Sequence, residues 1–98
     1  MTIDKKAEGS KLTIALEGRL DTNTSPQLDD ELKQSVTGIT ELIFDLAQLA
    51  YISSAGLRVL LAAQKVMNKQ GTMVIKNANE DILEIFDVTG FVDILNIE

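Results

Sequence analysis

The stretch ELIFDLAQLAYISSAGLRVLLAAQKVMNKQG, residues 41–71, decides the fold. With Thr40 before it, its first part alternates: Leu42, Phe44 and Leu46 share one face and Ile43 lies on the other, the two-residue period of a strand over 40–46. Then the period changes. From Ser53 or Ser54 to Gln70, placing residues at 100° intervals gathers Gly56, Val59, Leu60, Ala63, Val66 and Met67 on one side of a helix. Arg58, Ala62, Lys65 and Lys69 fall opposite, and Ser54, Leu57, Leu61 and Asn68 run along the flank. Gly71 stands where a helix C-terminus favours glycine. Leu46 to Ile52 leads from the strand to the helix.

Working outward, KLTIALE (11–17) alternates with Leu12, Ile14 and Leu16 on one side, a strand with one strongly apolar face. Glu8-Gly9-Ser10 is turn chemistry, so residues 2–7 are expected as its hairpin partner. In TNTSPQLDDELKQSV (22–36), Leu28, Leu32 and Val36 recur every four residues, giving an amphipathic helix that stops near Gly38. Thr24 or Ser25 can cap it, Pro26 suits its first turn, and Thr24 with Gln27 has capping-box spacing. TMVIKN (72–77) is a further strand, and NEDILEIFDV (79–88) a helix capped by Asn79 and ended by Gly90. FVDILNIE (91–98) reads equally as a helical turn or a short strand.

Helices inserted between strands require parallel pairing through right-handed crossovers. The one-sided strand at 11–17 predicts a sheet covered mainly on one face. The expected fold is a small α/β domain with a mostly parallel, four- to five-stranded sheet and helices packed mainly on one face. A chain of 98 residues fits one domain, 1–98.

Composition narrows the function. With 15 acidic and 9 basic residues, the formal charge of −6 repels phosphate backbones and anionic headgroups. Direct binding to nucleic acid or membrane is therefore not expected. The apolar runs are too short to span a bilayer, and MTIDKKAEGS has no signal-peptide core, so a cytoplasmic location is expected. There is no His and no Cys. Ser-His-Asp and Cys-His catalysis and the commonest metal ligands go together, so neither enzyme activity, nor a metal, nor a cofactor is expected. A nucleophile elbow fails because Ile52 stands where G-x-S-x-G needs its first glycine. No Walker-A pattern is present.

In such folds the strand end that feeds a helix start is the usual place for a site. Ser53 and Ser54 stand there. A helix start has unpaired N–H groups and partial positive charge, so it both favours serine caps and stabilises a phosphate. Helix physics alone makes either serine a cap or a phosphoacceptor. If exposed, Ser54, Leu57, Arg58 and Leu61 form a docking stripe of the helix-face kind, with a switchable charge at its head.

The residues resemble the STAS domain family, specifically the bacterial anti-sigma factor antagonists. LEGRLDTNTSPQL (16–28) is similar to the family's G-x-L-D segment. LIFDLAQLAYISSAGLRVLL (42–61) is similar to its strand, D-S-x-G-L and helix signature, and GTMVIKNANEDILEIFDVTGF (71–91) to its closing strand and helix. The resemblance implies a partner-switching regulator. Unphosphorylated, it binds an anti-sigma factor that is a serine kinase and frees the sigma factor. Phosphorylation of the serine after the Asp of D-S-x-G-L breaks the complex, and a PP2C-type phosphatase resets it.

Registered on Gly56-Leu57, that serine is Ser54, with Ser53 the lesser alternative. The implied partner-binding set is Asp21, Ser53, Ser54, Leu57, Arg58 and Leu61, on a protein expected to be monomeric. This chain departs from the family in carrying Ser53 where Asp is usual, and it ends near where a final family helix often begins. Asp21 and Asp45 have structural readings as well, as turn or strand-end carboxylates. Two other functions compete: a non-phosphorylated STAS subunit of a lipid-transport or other membrane-associated complex, and a phosphopantetheine carrier. The second lacks its D-S-L triplet and conflicts with the strands.

Overall fold

A computed structural model describes residues 1–98. The elements run β1 (Thr2–Glu8), β2 (Lys11–Leu20), α1 (Ser25–Ser35), β3 (Glu41–Ile52), α2 (Ser54–Gln70), β4 (Thr72–Lys76) and α3 (Glu80–Val88), with a 3-10 turn at Phe91–Asp93. The sheet order is β1-β2-β3-β4; β1 pairs antiparallel with β2, and the other pairs are parallel. Both readings of the tail are realised. After the 3-10 turn, Ile97 bridges Ile75 in parallel, so residues 96–98 lie along the free edge of β4 as a rudimentary fifth strand.

One face of the sheet carries the core. Leu12, Ile14 and Leu16 of β2, Leu42, Phe44 and Leu46 of β3, and Met73 and Ile75 of β4 cluster with Leu28 and Leu32 of α1, Leu60 and Met67 of α2, and Ile82 and Phe86 of α3. Ile43 points to the other face; it is buried but stands outside this cluster. At about 25 cal/mol per Å² of apolar surface removed from water, this one-sided layer is the main stabilising term.

Strand β3 is longer than its alternation predicts, running to Ile52 instead of stopping at Leu46. The register explains it. Ala15 pairs Asp45 but Glu17 pairs Gln48, and Gly18 pairs Leu49 but Arg19 pairs Tyr51. At each step β3 carries one residue more than β2, a pair of bulges. Its core-facing positions therefore run Leu42, Phe44, Leu46, Leu49 and Ile52, and the strict period breaks. Asp45 Oδ1 holds the first bulge by accepting the Ala47 N–H at 3.0 Å and Asn77 Nδ2 at 3.0 Å. Asp45 thus sits mid-strand at a bulge, not at a strand end.

Two glycines are fixed by close approach. A Cβ on Gly56 would lie 2.8 Å from Leu20 Cγ and 2.9 Å from Ile52 Cγ1, so its absence lets the first turn of α2 sink onto the ends of β2 and β3. A Cβ on Gly71 would lie 2.6 Å from the Thr40 carbonyl carbon. Gly71 has φ 171°, extended backbone, so close packing and not a left-handed cap requires glycine there. Gln70 Nε2 donates to the carbonyls of Val36 and Ile39 at the same corner, locking the end of α2 to the entry of β3.

Candidate functional site

The C-terminal ends of β2 and β3 meet the start of α2, and the Ser53 N–H donates to the Leu20 carbonyl at 2.9 Å across that junction. Ser53 is the N-cap of α2, in extended backbone; its Oγ accepts the Gly56 N–H at 3.4 Å, and its carbonyl accepts the Leu57 N–H at 2.9 Å. Ser54 is the first helical residue. It is exposed, and its hydroxyl enters no side-chain hydrogen bond. No acidic residue occupies the first turn, so the positive end of the helix is uncompensated beside that hydroxyl.

Asp21 organises the opposite wall, the loop from β2 to α1. Its Oδ1 accepts the N–H groups of Asn23 at 3.0 Å and Thr24 at 3.1 Å. The Thr24 backbone bond, chiefly, with those of Asn23 and the Thr24 hydroxyl and the charge of Arg19, outweighs desolvation and holds the Asp21 carboxyl below its ordinary value. The expected capping box does not form. Thr24 is the N-cap of α1 but makes no side-chain cap bond to the helix; its Oγ1 instead donates to the Arg19 carbonyl and accepts the Asp21 N–H, both at 2.8 Å. Asp21 draws that hydroxyl backward, so the structural role expected for it is the one its bonds display.

Between this loop and α2 lies a cleft of about 250 Å³ lined by Thr22, Ser25, Pro26, Asp29, Ala55 and Val59. It runs into an apolar groove between α1 and α2 that shares Asp29 and Val59.

The docking stripe expected along α2 needs correction. Leu57 is 5% exposed and belongs to the core, so it offers no surface for a partner. The reason is Gly56: where α2 sinks against Leu20 and Ile52, the next residue is carried under with it. Conversely Val66, expected in the core, is 40% exposed at the α1 groove. The buried stripe is rotated toward Leu57 and Gln64, whose Nε2 donates to Asn68 Oδ1 at 2.8 Å. Arg58 is exposed and Leu61 half-buried.

Sequence reading missed Arg19 and Tyr51. The Arg19 guanidinium lies 4.3 Å from the centre of the Tyr51 ring, a cation–π contact, and its Nε is 3.9 Å from Asp21 Oδ2. The two residues face each other only because both bulges precede them, and spacing in the sequence carries no sign of that.

This arrangement, a bulged parallel strand delivering an open serine at a helix start beside an ordered acidic loop, defines a small α/β domain with its candidate site at one end of the sheet. The chain belongs to the STAS domain family, whose profile matches residues 2–98. It is 36% identical to BtrV of Bordetella bronchiseptica over 99% of this chain and 84% of that protein, and 28% identical to the anti-sigma-B factor antagonist of Bacillus subtilis over 99% and 90%. An anti-sigma factor antagonist from Mycobacterium paratuberculosis shares the fold with a TM-score of 0.88 at 18% identity, covering 98% of this chain and 83% of that one. The Bacillus protein SpoIIAA matches in its unphosphorylated form with a TM-score of 0.78 at 15% identity over 99% and 87% of the two chains. Its phosphorylated form matches with the same TM-score at 16% identity over 99% and 91%. No helix here is long and apolar enough to cross a membrane.

Proposed function

We propose that this chain is an anti-sigma factor antagonist that works by partner switching in the cytoplasm, as one domain spanning residues 1–98. Unphosphorylated, it binds an anti-sigma factor serine kinase and frees the sigma factor. Phosphorylation of Ser54 abolishes binding, and a PP2C-type phosphatase reverses it. The observation that carries this reading is the exposed Ser54 hydroxyl, free of partners at the first position of α2, in a chain of the STAS family and in a segment that resembles the family motif except for Ser53 in place of Asp. Asp21, Ser53, Arg58 and Leu61 make up the rest of the contact surface in this reading. Leu57 is withdrawn from that set because it is buried. The chain acts by binding and not by catalysis.

The switch needs no refolding. SpoIIAA has this fold in both phosphorylation states, and a phosphate on Ser54 would add about −1.5 to −2 charge at the contact surface itself. The test is a pull-down from the native host with Ser54→Ala and Ser54→Asp baits, followed by incubation of the wild type with the recovered kinase and ATP. Ser54→Ala should retain the anti-sigma factor, Ser54→Asp should lose it, and phosphopeptide mapping should place the phosphate on Ser54. Undiminished binding by Ser54→Asp together with no phosphate on Ser54 would refute the proposal. Recovery of transporter components in place of a kinase would point to the structural-subunit alternative.

A further inference from the structure

The charge of this protein is unevenly distributed. Helix α2 contains Arg58, Lys65 and Lys69 and no acidic residue, whereas the rest of the chain carries the other six basic residues and all 15 acidic ones. At 100° per residue these three cations fall within a narrow arc that also contains Ser54, and all three are exposed. Lys5, Lys6, Arg19, Lys33 and Lys76 each lie within ion-pair distance of a carboxylate; Arg58, Lys65 and Lys69 enter no ion pair, and of the cations outside α2 Lys11 alone shares that state. From Arg58 to Lys69 the ridge extends about 17 Å along the helix axis. It is an uncompensated basic line on an acidic protein, with the candidate phosphoacceptor at its head.

We propose that this ridge docks a narrow acidic element, a helix face or strand edge, of the anti-sigma factor. The inference rests on the function proposed above and names the chemistry by which α2 recognises its partner. Charge complementarity identifies the occupant. A flat anionic surface such as a membrane fits poorly, because a broad contact would also meet the acidic remainder of a chain whose formal charge is −6. A narrow acidic element lies along the three cations of the ridge and leaves that acidic remainder untouched. The same geometry explains how Ser54 switches the surface: a phosphate there stands one helical turn from Arg58 and cancels about half or more of the ridge's positive charge. It also repels the acidic element directly.

The test uses the full chain, the K65E/K69E and K65Q/K69Q variants, and the anti-sigma factor recovered with the Ser54→Ala bait, titrated at about 50 and about 300 mM salt. K65E/K69E should bind about tenfold or more weakly at low salt, K65Q/K69Q should fall between, and the wild type should lose affinity with salt more steeply than either. Unchanged thermal unfolding of the glutamine variant separates docking from folding. If K65E/K69E binds within about twofold of wild type while Ser54→Asp abolishes binding, the ridge proposal falls and the Ser54 switch stands. If the wild type binds no anti-sigma factor, both fall. Vesicles rich in phosphatidylglycerol provide the last arm. Wild-type binding to them that K65E/K69E loses, with anti-sigma factor binding intact, would overturn the proposal in favour of a membrane surface.

Discussion

Replacing Ser53 by Asp should make the protein more stable, although it adds a negative charge to a chain already at −6. Ser53 is the N-cap of α2 but a weak one, since its hydroxyl accepts the Gly56 N–H at 3.4 Å, the long end of hydrogen bonding. The first turn of α2 has no acidic side chain, so the positive helix end is uncompensated. A carboxylate at the same position keeps the capping geometry and adds the interaction with the helix dipole, typically about 0.3–1 kcal/mol. Ser53→Ala removes the acceptor altogether. Cap deletions cost about 0.5–2 kcal/mol, and the long bond places this one near the lower end, about 0.5–1 kcal/mol.

For a domain of this size, 1 kcal/mol moves the melting temperature by about 4–8 °C. Ser53→Asp should therefore raise Tm by about 2–6 °C and Ser53→Ala lower it by a similar amount. Calorimetric melting at neutral pH and low salt reads both. The Ser53→Asp gain should shrink in about 1 M salt, where the screening length falls to about 3 Å. A Tm for Ser53→Asp at or below wild type, or a gain indifferent to salt, would refute the electrostatic account of this helix start.

Three other perturbations follow from the packing. Gly71→Ala would drive a methyl group into the Thr40 backbone, which cannot move aside as a side chain can; the variant should lose several °C in Tm or fail to accumulate folded, as melting and soluble yield will show. Leu57→Ala should cost about 2–5 kcal/mol in denaturant unfolding, as core truncations do, whereas Leu61→Ala on the half-buried flank should cost distinctly less; equal costs would contradict the observed rotation of α2. Asp21→Asn should lower stability at neutral pH. Because the Asp21 carboxyl lies below its ordinary 3.8 when folded, its contribution is fully present above that value and is lost as pH falls through the lower folded one, so the wild-type and variant melting curves should converge in acid.

Much of the fold is legible where a single local rule operates. The order of elements along the chain, the cap at Asn79, a serine cap at the start of α2, and the apolar faces of β2 and of the first half of β3 each follow from one period or one hydrogen bond, although which of the two serines caps does not. What escapes is set by partners distant in sequence. The two bulges hide the second half of β3, because their register depends on β2 and their alternation looks broken when read alone. The rotation of α2 depends on how deeply Gly56 lets the helix sink, which a helical wheel cannot contain. Thr24 is diverted from its capping box by Asp21 and the Arg19 carbonyl, two more acceptor and donor sites outside the helix pattern. At the site, motif register selects Ser54, but the Arg19–Tyr51 pair exists only once the bulges have aligned it.

The adjacent serines differ physically before any kinase is considered. Ser53 has its N–H tied to Leu20, its carbonyl to Leu57 and its hydroxyl to Gly56, so modifying it would sacrifice a cap and disturb the junction of β2 with α2. Ser54 gives up nothing: its hydroxyl faces solvent without a partner, and behind it the first turn is braced against Leu20 and Ile52. A charge placed on Ser54 therefore meets a backbone with little room to yield. Its effect must appear at the surface, on Arg58 one turn away and on whatever lies along the helix. An exposed hydroxyl on a rigid base converts modification into a change of binding with little loss to conformational relaxation. The cap beside it has the complementary task of keeping that base rigid. This division of labour predicts that Ser53→Ala should soften α2, visible as faster amide exchange at its first turn, while the Ser54 hydroxyl stays exposed.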